Sequence, residues 1–318
     1  MTTKQAPIHS GFGAKTTARE ALGTRRLDGA IAIVTGGYAG IGLETTRVLA
    51  GAGATVIVPA RTPEKARAAL AGMARVELEA LDLSEPATID AFAARFLASG
   101  RPLHILVNNA GIMATPLTRD RRGFDIQFAT NHLGHFQLTA KLWPALRKAN
   151  GARVVALTSR GHVRSGVDFE DPKFEHRPYD KWVAYGQSKT ANALFAVALD
   201  ARGEAHGVRA FSAHPGGIVT ELMRSMPAGE VHAILAEPRN QDLKTVAQGA
   251  ATSIWCATSL QLEGMGGVYC EDVDVSEAVP ADSTAPRGVR PWATDKSFAE
   301  RLWSKSEEWT GAQFGDAF

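Results

Sequence analysis

The chain has 318 residues, 45% of them hydrophobic, and a formal net charge of +2. That is enough apolar material for one large core, and the near-balance of charge argues against a protein built around nucleic acid or an acidic surface. Two cysteines, Cys256 and Cys270, supply neither a disulfide framework nor a metal-ligand spacing, which suits a reducing compartment.

No basic segment followed by an apolar run opens the chain, and no apolar stretch approaches the roughly 20 residues of a membrane span. A soluble cytoplasmic protein is expected, with neither a membrane nor a nucleic-acid partner. Residues 1–28 are polar and dotted with glycine, with a short helix predicted through Thr16–Leu22. They read as an N-terminal arm laid over the domain that follows.

Ala30-Ile31-Ala32-Ile33-Val34 is short and apolar on both faces, as a buried parallel strand should be. Thr35-Gly36-Gly37-Tyr38-Ala39-Gly40-Ile41-Gly42 follows, and then a helical pattern through Leu49. A strand, a glycine-rich turn and a helix form the phosphate-binding start of a nucleotide fold. The glycines let backbone approach a pyrophosphate, and the helix N-terminus supplies free N–H groups and positive dipole. A glycine-rich hairpin is the plainer use of such residues, but the strand before and the helix after argue against it.

The spacing Gly-x-x-x-Gly-x-Gly behind a threonine resembles the short-chain dehydrogenase/reductase family, over about residues 28–275. That resemblance implies one doubly wound α/β (Rossmann) domain, residues 29–280, around a seven-stranded parallel sheet. It implies cofactor contacts at Gly36, Tyr38, Gly40, Ile41 and Gly42.

Thr55-Val56-Ile57-Val58 reads as the second strand, and Arg61 stands 19 residues beyond Gly42, where the adenosine ribose is read. An acidic residue there would bind a free 2′-hydroxyl. Arg61 would instead pair with a 2′-phosphate, so NADP(H) is the expected cofactor and NAD(H) the alternative. Ala39 departs from the family's NADP-preferring members, which often carry a basic residue just before the second motif glycine. A strand over 75–81 leads to Asp82 and Leu83, which in the family hydrogen-bond the adenine amino group and stack near it. An aspartate capping the next helix, near 86–98, is an equal use. The strand 104–107 then runs into Asn108-Asn109-Ala110-Gly111. It resembles the family's fourth-strand signature, with Asn109, Ala110 and Gly111 against the cofactor.

Phe124 to Phe136 has helical apolar spacing. The resemblance gives Asn131 the place of an asparagine that interrupts the helical ladder and holds a water. His132 and His135 stand three apart, but no third ligand accompanies them, and no metal is expected. Arg153-Val154-Val155-Ala156-Leu157-Thr158-Ser159 is the next buried strand, and Ser159 matches the serine that orients a substrate carbonyl.

Tyr185 and Lys189 stand four apart and share one helix face. A phenol is a poor acid or base at neutral pH. A neighbouring ammonium favours the phenolate and lowers its pKa, so the pair can exchange a proton with an alcohol or ketone. Between Ser159 and Tyr185 lie 25 residues, more than is usual in the family. With Ala184 to Lys189 and Ala193-Leu194-Phe195-Ala196, this insert resembles the retinol-dehydrogenase-like and WW-domain-oxidoreductase-like branch. Neither WW domains nor a membrane anchor is visible, so retinoid substrates do not follow.

Val208 to Ser212 is a sixth strand. Pro215, Gly216, Ile218 and Thr220 match the segment that holds the nicotinamide amide. Residues 217–243 are expected to form a substrate lid with an apolar face of Leu222, Met223 and Met226, although the same residues would serve equally as core. A helix at 244–258, a last strand at 267–270 and a tail, 281–318, with a terminal helix complete the chain.

The expected activity interconverts a ketone or aldehyde and an alcohol by hydride transfer. Asn131, Ser159, Tyr185 and Lys189 carry catalysis, and the small substrate is apolar. A non-catalytic nucleotide-binding sensor or scaffold would keep the fold but usually drop one of the four. Nothing in the sequence excludes a reductase of a carbon–carbon double bond. A monomer and a homo-oligomer both fit.

Overall fold

The computed structural model describes residues 3–237 and 243–315. Seven short runs, mostly apolar except the edge strand β3 with Glu77 and Glu79, form the parallel strands β1 (Ile31–Val34), β2 (Thr55–Ala60), β3 (Val76–Ala80), β4 (Ile105–Asn108), β5 (Ala152–Leu157), β6 (Val208–His214) and β7 (Val268–Glu271). Their order across the sheet is β3-β2-β1-β4-β5-β6-β7. Ala32 of β1 registers with Val56 of β2 on one side and Ile105 of β4 on the other. The order reverses between β1 and β4, the crevice in which open α/β sheets bind ligands.

The seven-stranded expectation needs one correction. An eighth strand, β8 (Asp274–Val275), returns antiparallel to β7. The turn between them is Asp272-Val273, with φ of 51° and 63°, and hairpin turns of this kind require left-handed residues at both centres. Valine is among the residues least suited to that region. The turn therefore carries no glycine or asparagine to announce it. Surrounding bonds hold it instead: Val273 N donates to Thr252 Oγ1 at 3.2 Å, and Ser10 Oγ donates to Val273 O at 2.6 Å.

Eleven α-helical segments are present among the described residues. They are α1 (Ala18–Leu22), α2 (Gly40–Gly51), α3 (Pro63–Ala69), α4 (Pro86–Ala98), α5 (Ile126–Phe128), α6 (Gly134–Lys148), α7 (Lys181–Gly203), α8 (Ala228–Ala236), α9 (Val246–Gly249), α10 (Ala251–Thr258) and α11 (Lys296–Thr310). The helix expected over 244–258 is divided: α9 opens on a Thr245/Gln248 capping box and gives way to α10 at Ala250.

Strand side chains alternate between two cores. Ile33, Ile57 and Leu106 face α4, α6, α7 and α11. Ala32, Val34, Val56 and Val107 face α1, α2 and α10. Along β1 that alternation is the period of two of an extended chain. The terminal helix α11 closes the first core from outside. Trp303 meets Phe136 edge-on at 5.2 Å between centroids and stacks on Phe195 at 6.1 Å, and Ser306 Oγ lies 2.8 Å from His132 Nε2.

The N-terminal arm is sewn to the far edge of the sheet. Gln5 donates to Tyr269 O at 2.9 Å and accepts from Tyr269 N at 2.8 Å. Asp274 accepts from the backbone N–H groups of Ile8 and Ser10.

Candidate active site

The glycine-rich turn joins β1 to α2. Gly36 has φ of +64°, and a Cβ there would lie 3.1 Å from Ala110 Cα. A Cβ on Gly42 would collide with Gly36 O and Asn109 Nδ2. These are close backbone approaches that only glycine permits. The N-cap of α2 is Ala39, with no side chain bonded to the first-turn N–H groups. They stay open, with the helix dipole behind them, for an anion such as a pyrophosphate. The residues present therefore fit a dinucleotide. Tyr38 and Ile41 are half-buried, packed on the α2 side of the sheet.

Thr35, which the sequence reading used only as a motif marker, locks two loops together. Its Oγ1 accepts from the N–H groups of Asn109 and Ala110, both at 2.9 Å. Asn109 Nδ2 returns a bond to Thr35 O at 2.7 Å. The side chain of Asn109 thus braces the glycine turn, while Gly111 lies against Asn131 and Lys189. A Cβ on Gly111 would lie 3.2 Å from Asn131 Oδ1 and 3.6 Å from Lys189 Nζ.

On the adenosine side, Arg61 follows β2 with its side chain 68% exposed, Nε 4.0 Å from Asp82 Oδ2. Asp82 is also turned inward, accepting from Ser84 N and Ser84 Oγ. Leu83 is buried in the first core. On the nicotinamide side, Gly216 has φ of +93°, and a Cβ there would lie 2.7 Å from Lys244 Cδ. The Lys244 ammonium is itself paired with Asp272 at 2.7 Å. Ile218 packs against Gly249, and Thr220 stands over Gly40. Pro215 and Gly216 follow directly from β6, so this root of the expected lid lies beside the glycine turn.

Tyr185 and Lys189 occupy successive turns of α7, both buried. Tyr185 lies beside Ser159, whose hydroxyl favours the phenolate; Ser159 ends the chain out of β5 and caps a tight turn by accepting from Gly161 N at 3.0 Å. A Cβ on Gly161 would lie 2.9 Å from the Tyr185 ring. Lys189 Nζ donates to Leu157 O at 3.1 Å and lies 5.6 Å from the centroid of the Tyr185 ring.

One expectation is corrected here. Burial pushes the Tyr185 phenol up to about 12, with only the Ser159 hydroxyl opposing. Burial also pulls Lys189 down to about 8. Lys189 therefore does not lower the Tyr185 pKa in this structure. Its ammonium faces a backbone carbonyl, and the same burial that brings the pair together disfavours charge on both.

Asn131 sits in a π-turn, Ala129–Leu133, between α5 and α6, where Gly134 N reaches back five residues to Ala129 O. The interrupted ladder expected at this asparagine is present. Asn131 Oδ1 accepts from Ile112 N at 2.9 Å, and Nδ2 donates to Ile112 O and Ser188 Oγ, both at 3.0 Å. The side chain is thus a brace between the Asn109-Ala110-Gly111 loop and α7, and Ser188 is a partner the sequence reading missed. Missed too was His135, whose Nδ1 lies 2.9 Å from Asn131 O and whose Nε2 lies 2.8 Å from Thr35 Oγ1. The signal for both was periodic: they lie within one turn of Tyr185 and Asn131. His132 and His135 point to Ser306 and Thr35 respectively, so the two rings have separate partners.

The expected lid contains a tight turn, Glu221–Ser225, and α8, while residues 238–242 lie outside the described residues. Ion pairs tie it at two points: Lys65 to Glu221 at 2.9 Å, and Lys181 to Glu230 at 2.5 Å. Among the described residues no helix is long and apolar enough to cross a membrane.

Residues 30–230 match the model of the short chain dehydrogenase family. The chain is 45% identical over 289 residues to a Streptomyces lividans protein named "Probable oxidoreductase", covering 87% of this chain and 96% of that one. It is 37% identical over 299 residues to retinol dehydrogenase 12 of Mus musculus, covering 91% and 89%. A crystal structure of an uncharacterised Mycobacterium paratuberculosis protein superposes with a TM-score of 0.73 at 33% identity, over 92% of this chain and 98% of that one. The NADP complex of RhlG from Pseudomonas aeruginosa shares the fold, with a TM-score of 0.64 at 24% identity over 77% and 95%.

Proposed function

The chain belongs to the short-chain dehydrogenase family, in a branch with retinol-dehydrogenase-like relatives, and on that premise we propose that this oxidoreductase interconverts a ketone or aldehyde and an alcohol with NADP(H). The observation that carries the reading is the buried Tyr185 ring set beside Ser159 Oγ across Gly161, one helical turn from Lys189, at the mouth of a glycine cradle fit for a dinucleotide. The nicotinamide, when bound, supplies or takes the hydride.

The chain's own residues manage the oxygen. In the reducing direction Ser159 donates to the carbonyl oxygen, a fixed dipole aimed at developing charge. Tyr185, kept protonated by burial, gives its proton to the alkoxide oxygen. Lys189, charged below about pH 8, would bind the nicotinamide ribose. Asn131 braces the loop that carries Gly111 and, with a water, would pass a proton toward Lys189. Gly36, Gly40 and Gly42 would hold the pyrophosphate, Arg61 the 2′-phosphate, and Ile218 and Thr220 the nicotinamide amide. A cytoplasmic site of action is part of the same reading.

The test is a panel of ketones and alcohols assayed with NADPH and NADH. Ketone reduction by the wild type, reduced by about 10²–10⁴-fold in Tyr185→Phe with cofactor affinity retained, is the expected result. Near wild-type turnover in Tyr185→Phe would show that Tyr185 is not the acid. Products reduced only at a carbon–carbon double bond would favour the other reductase chemistry, and cofactor binding without turnover of any member would favour a sensor.

A further inference from the structure

Ser159 is flanked by two residues that both reach a strap of the carboxyl-terminal tail, residues 283–293. Arg160 donates through its guanidinium to Ala285 O and, at 3.3 Å, to Gly288 O. His162 is fully buried. Its Nε2 faces the backbone N–H of Arg290 at 3.2 Å, and its carbonyl accepts from Trp292 Nε1 at 2.9 Å. Gly288 N in turn donates to the buried Glu271 at 2.7 Å, which fixes the strap on β7.

The tautomer of His162 follows from these partners. A backbone N–H can only donate, so Nε2 is the acceptor, and the proton of the neutral ring is on Nδ1. Nδ1 lies 2.9 Å from Ser159 O and donates to it. Tyr269 Oη, 3.4 Å from the same nitrogen, is the more distant neighbour, and the two rings are tilted against each other at 5.0 Å. Burial keeps the ring neutral, pulling it down to about 4, and the cations Arg160 and Arg290 act in the same direction. The donor is therefore permanent at working pH.

We propose that His162 is a positioning residue for Ser159, and that through it the strap 283–293 becomes part of the active-site frame. The proposal rests on the reading of Ser159 as the donor to the substrate carbonyl. The Ser159 hydroxyl hangs from a residue whose carbonyl His162 holds twice, through its backbone N–H at 3.1 Å and its ring Nδ1 at 2.9 Å, while Ser159 Oγ is fixed by Gly161 N and faces Tyr185. Without the ring donor the carbonyl rests on the backbone bond alone, which leaves that peptide freer to tilt and to move Oγ off the line to the developing alkoxide, and a misplacement of about 1 Å costs on the order of 100-fold in rate.

Two substitutions separate the two ring nitrogens. Gln at 162 reaches the Nε2 position and keeps an acceptor for Arg290, but it loses the donor to Ser159. Asn at 162 puts its amide at the Nδ1 position and keeps that donor. His162→Gln is expected to lower kcat for ketone reduction by on the order of 10- to 100-fold, with NADPH affinity, read by fluorescence titration, unchanged. His162→Asn is expected to recover most of that loss. Equal kcat in the two variants, or losses that simply track Tm, would overturn the proposal. Ser159→Ala is the control: loss there without loss in His162→Gln sinks the proposal alone, whereas full activity in Ser159→Ala sinks the carbonyl-donor reading and the proposal with it. A measurement free of substrate stands beside these. The ¹⁵N shifts of the His162 ring should show a neutral imidazole protonated at Nδ1, and protonation at Nε2 would overturn the assignment.

Discussion

Tyr185 and Lys189 show how far a spacing can be carried. Their separation by one helical turn was legible, and so was their nearness to Ser159. The direction of the Tyr185 shift was not, because it depends on how much water the folded chain leaves around the phenol. With the phenol pushed up to about 12 and the ammonium pulled down to about 8, the two groups titrate in different ranges. kcat/KM for reduction should therefore stay flat up to about pH 8 and fall above it as Lys189 loses its charge, a profile measurable with one ketone across buffers. A profile that falls with the phenol alone would place the limiting group elsewhere. Arg61 is the other residue-scale test. Exposed and held only loosely by Asp82, it has donors free for a phosphate. A charge-assisted bond of that kind contributes about 1.5–3 kcal/mol, or about one to two decades of affinity. Arg61→Asp should lose that much NADPH affinity while NADH binding holds or improves, measured by titration with both cofactors. Equal affinities in the wild type, unchanged by the substitution, would remove the argument.

Strands and helices were legible in proportion to how locally their signals are written. The short apolar runs needed only flanking turns to be placed, since a buried parallel strand is apolar on both faces. β8 escaped because its turn sets Val273, a residue ill suited to the left-handed region, beside Asp272, and is held by Thr252 and Ser10 from elsewhere in the chain. The break at Ala250 escaped although Gly249 stands directly before it, because a single glycine inside a helical pattern is tolerated and does not by itself end a helix. The segment after Gly217 shows why its lid or core character could not be read from composition. Met226 is buried, whereas Leu222 and Met223 are half-buried, and the ion pairs Lys65–Glu221 and Lys181–Glu230 tie the segment at its surface. We expect those ties to open. Hydrogen exchange over Glu221 to Glu237 should be fast in the free protein and slower with cofactor and ketone together. Met223→Ser should raise KM for large apolar ketones and leave cofactor binding alone. Full protection before any ligand is added would make these residues part of the core.

At the scale of the whole molecule, acid is the condition that should expose the cost of so many buried imidazoles. His132 and His214 are held down to about 3, and His135 and His162 to about 4, all chiefly by burial. Each stays neutral in the fold but binds a proton in the unfolded chain below about 6.5, so each contributes stability that is lost as pH falls from about 6.5 toward 4. Asp125, raised to about 6 by burial, opposes this between about 4 and 6. One pH unit into that window each histidine costs about 1.4 kcal/mol, so the four together approach the whole net stability of an ordinary domain, about 5–15 kcal/mol. Thermal melts should therefore drop steeply between about pH 6.5 and 5, and a melting temperature that is flat there would contradict the neutral state of these rings. The arm stitched by Gln5 has a different consequence, set by the order of synthesis. Gln5 leaves the ribosome 264 residues ahead of Tyr269, the backbone it must clasp. A segment made early is thus among the last to find its place, and its docking reports that translation has run through β7 and β8. Nascent chains stalled before that point would carry the arm loose and open to proteases, so a docked arm marks chains that contain β7 and β8 apart from shorter ones.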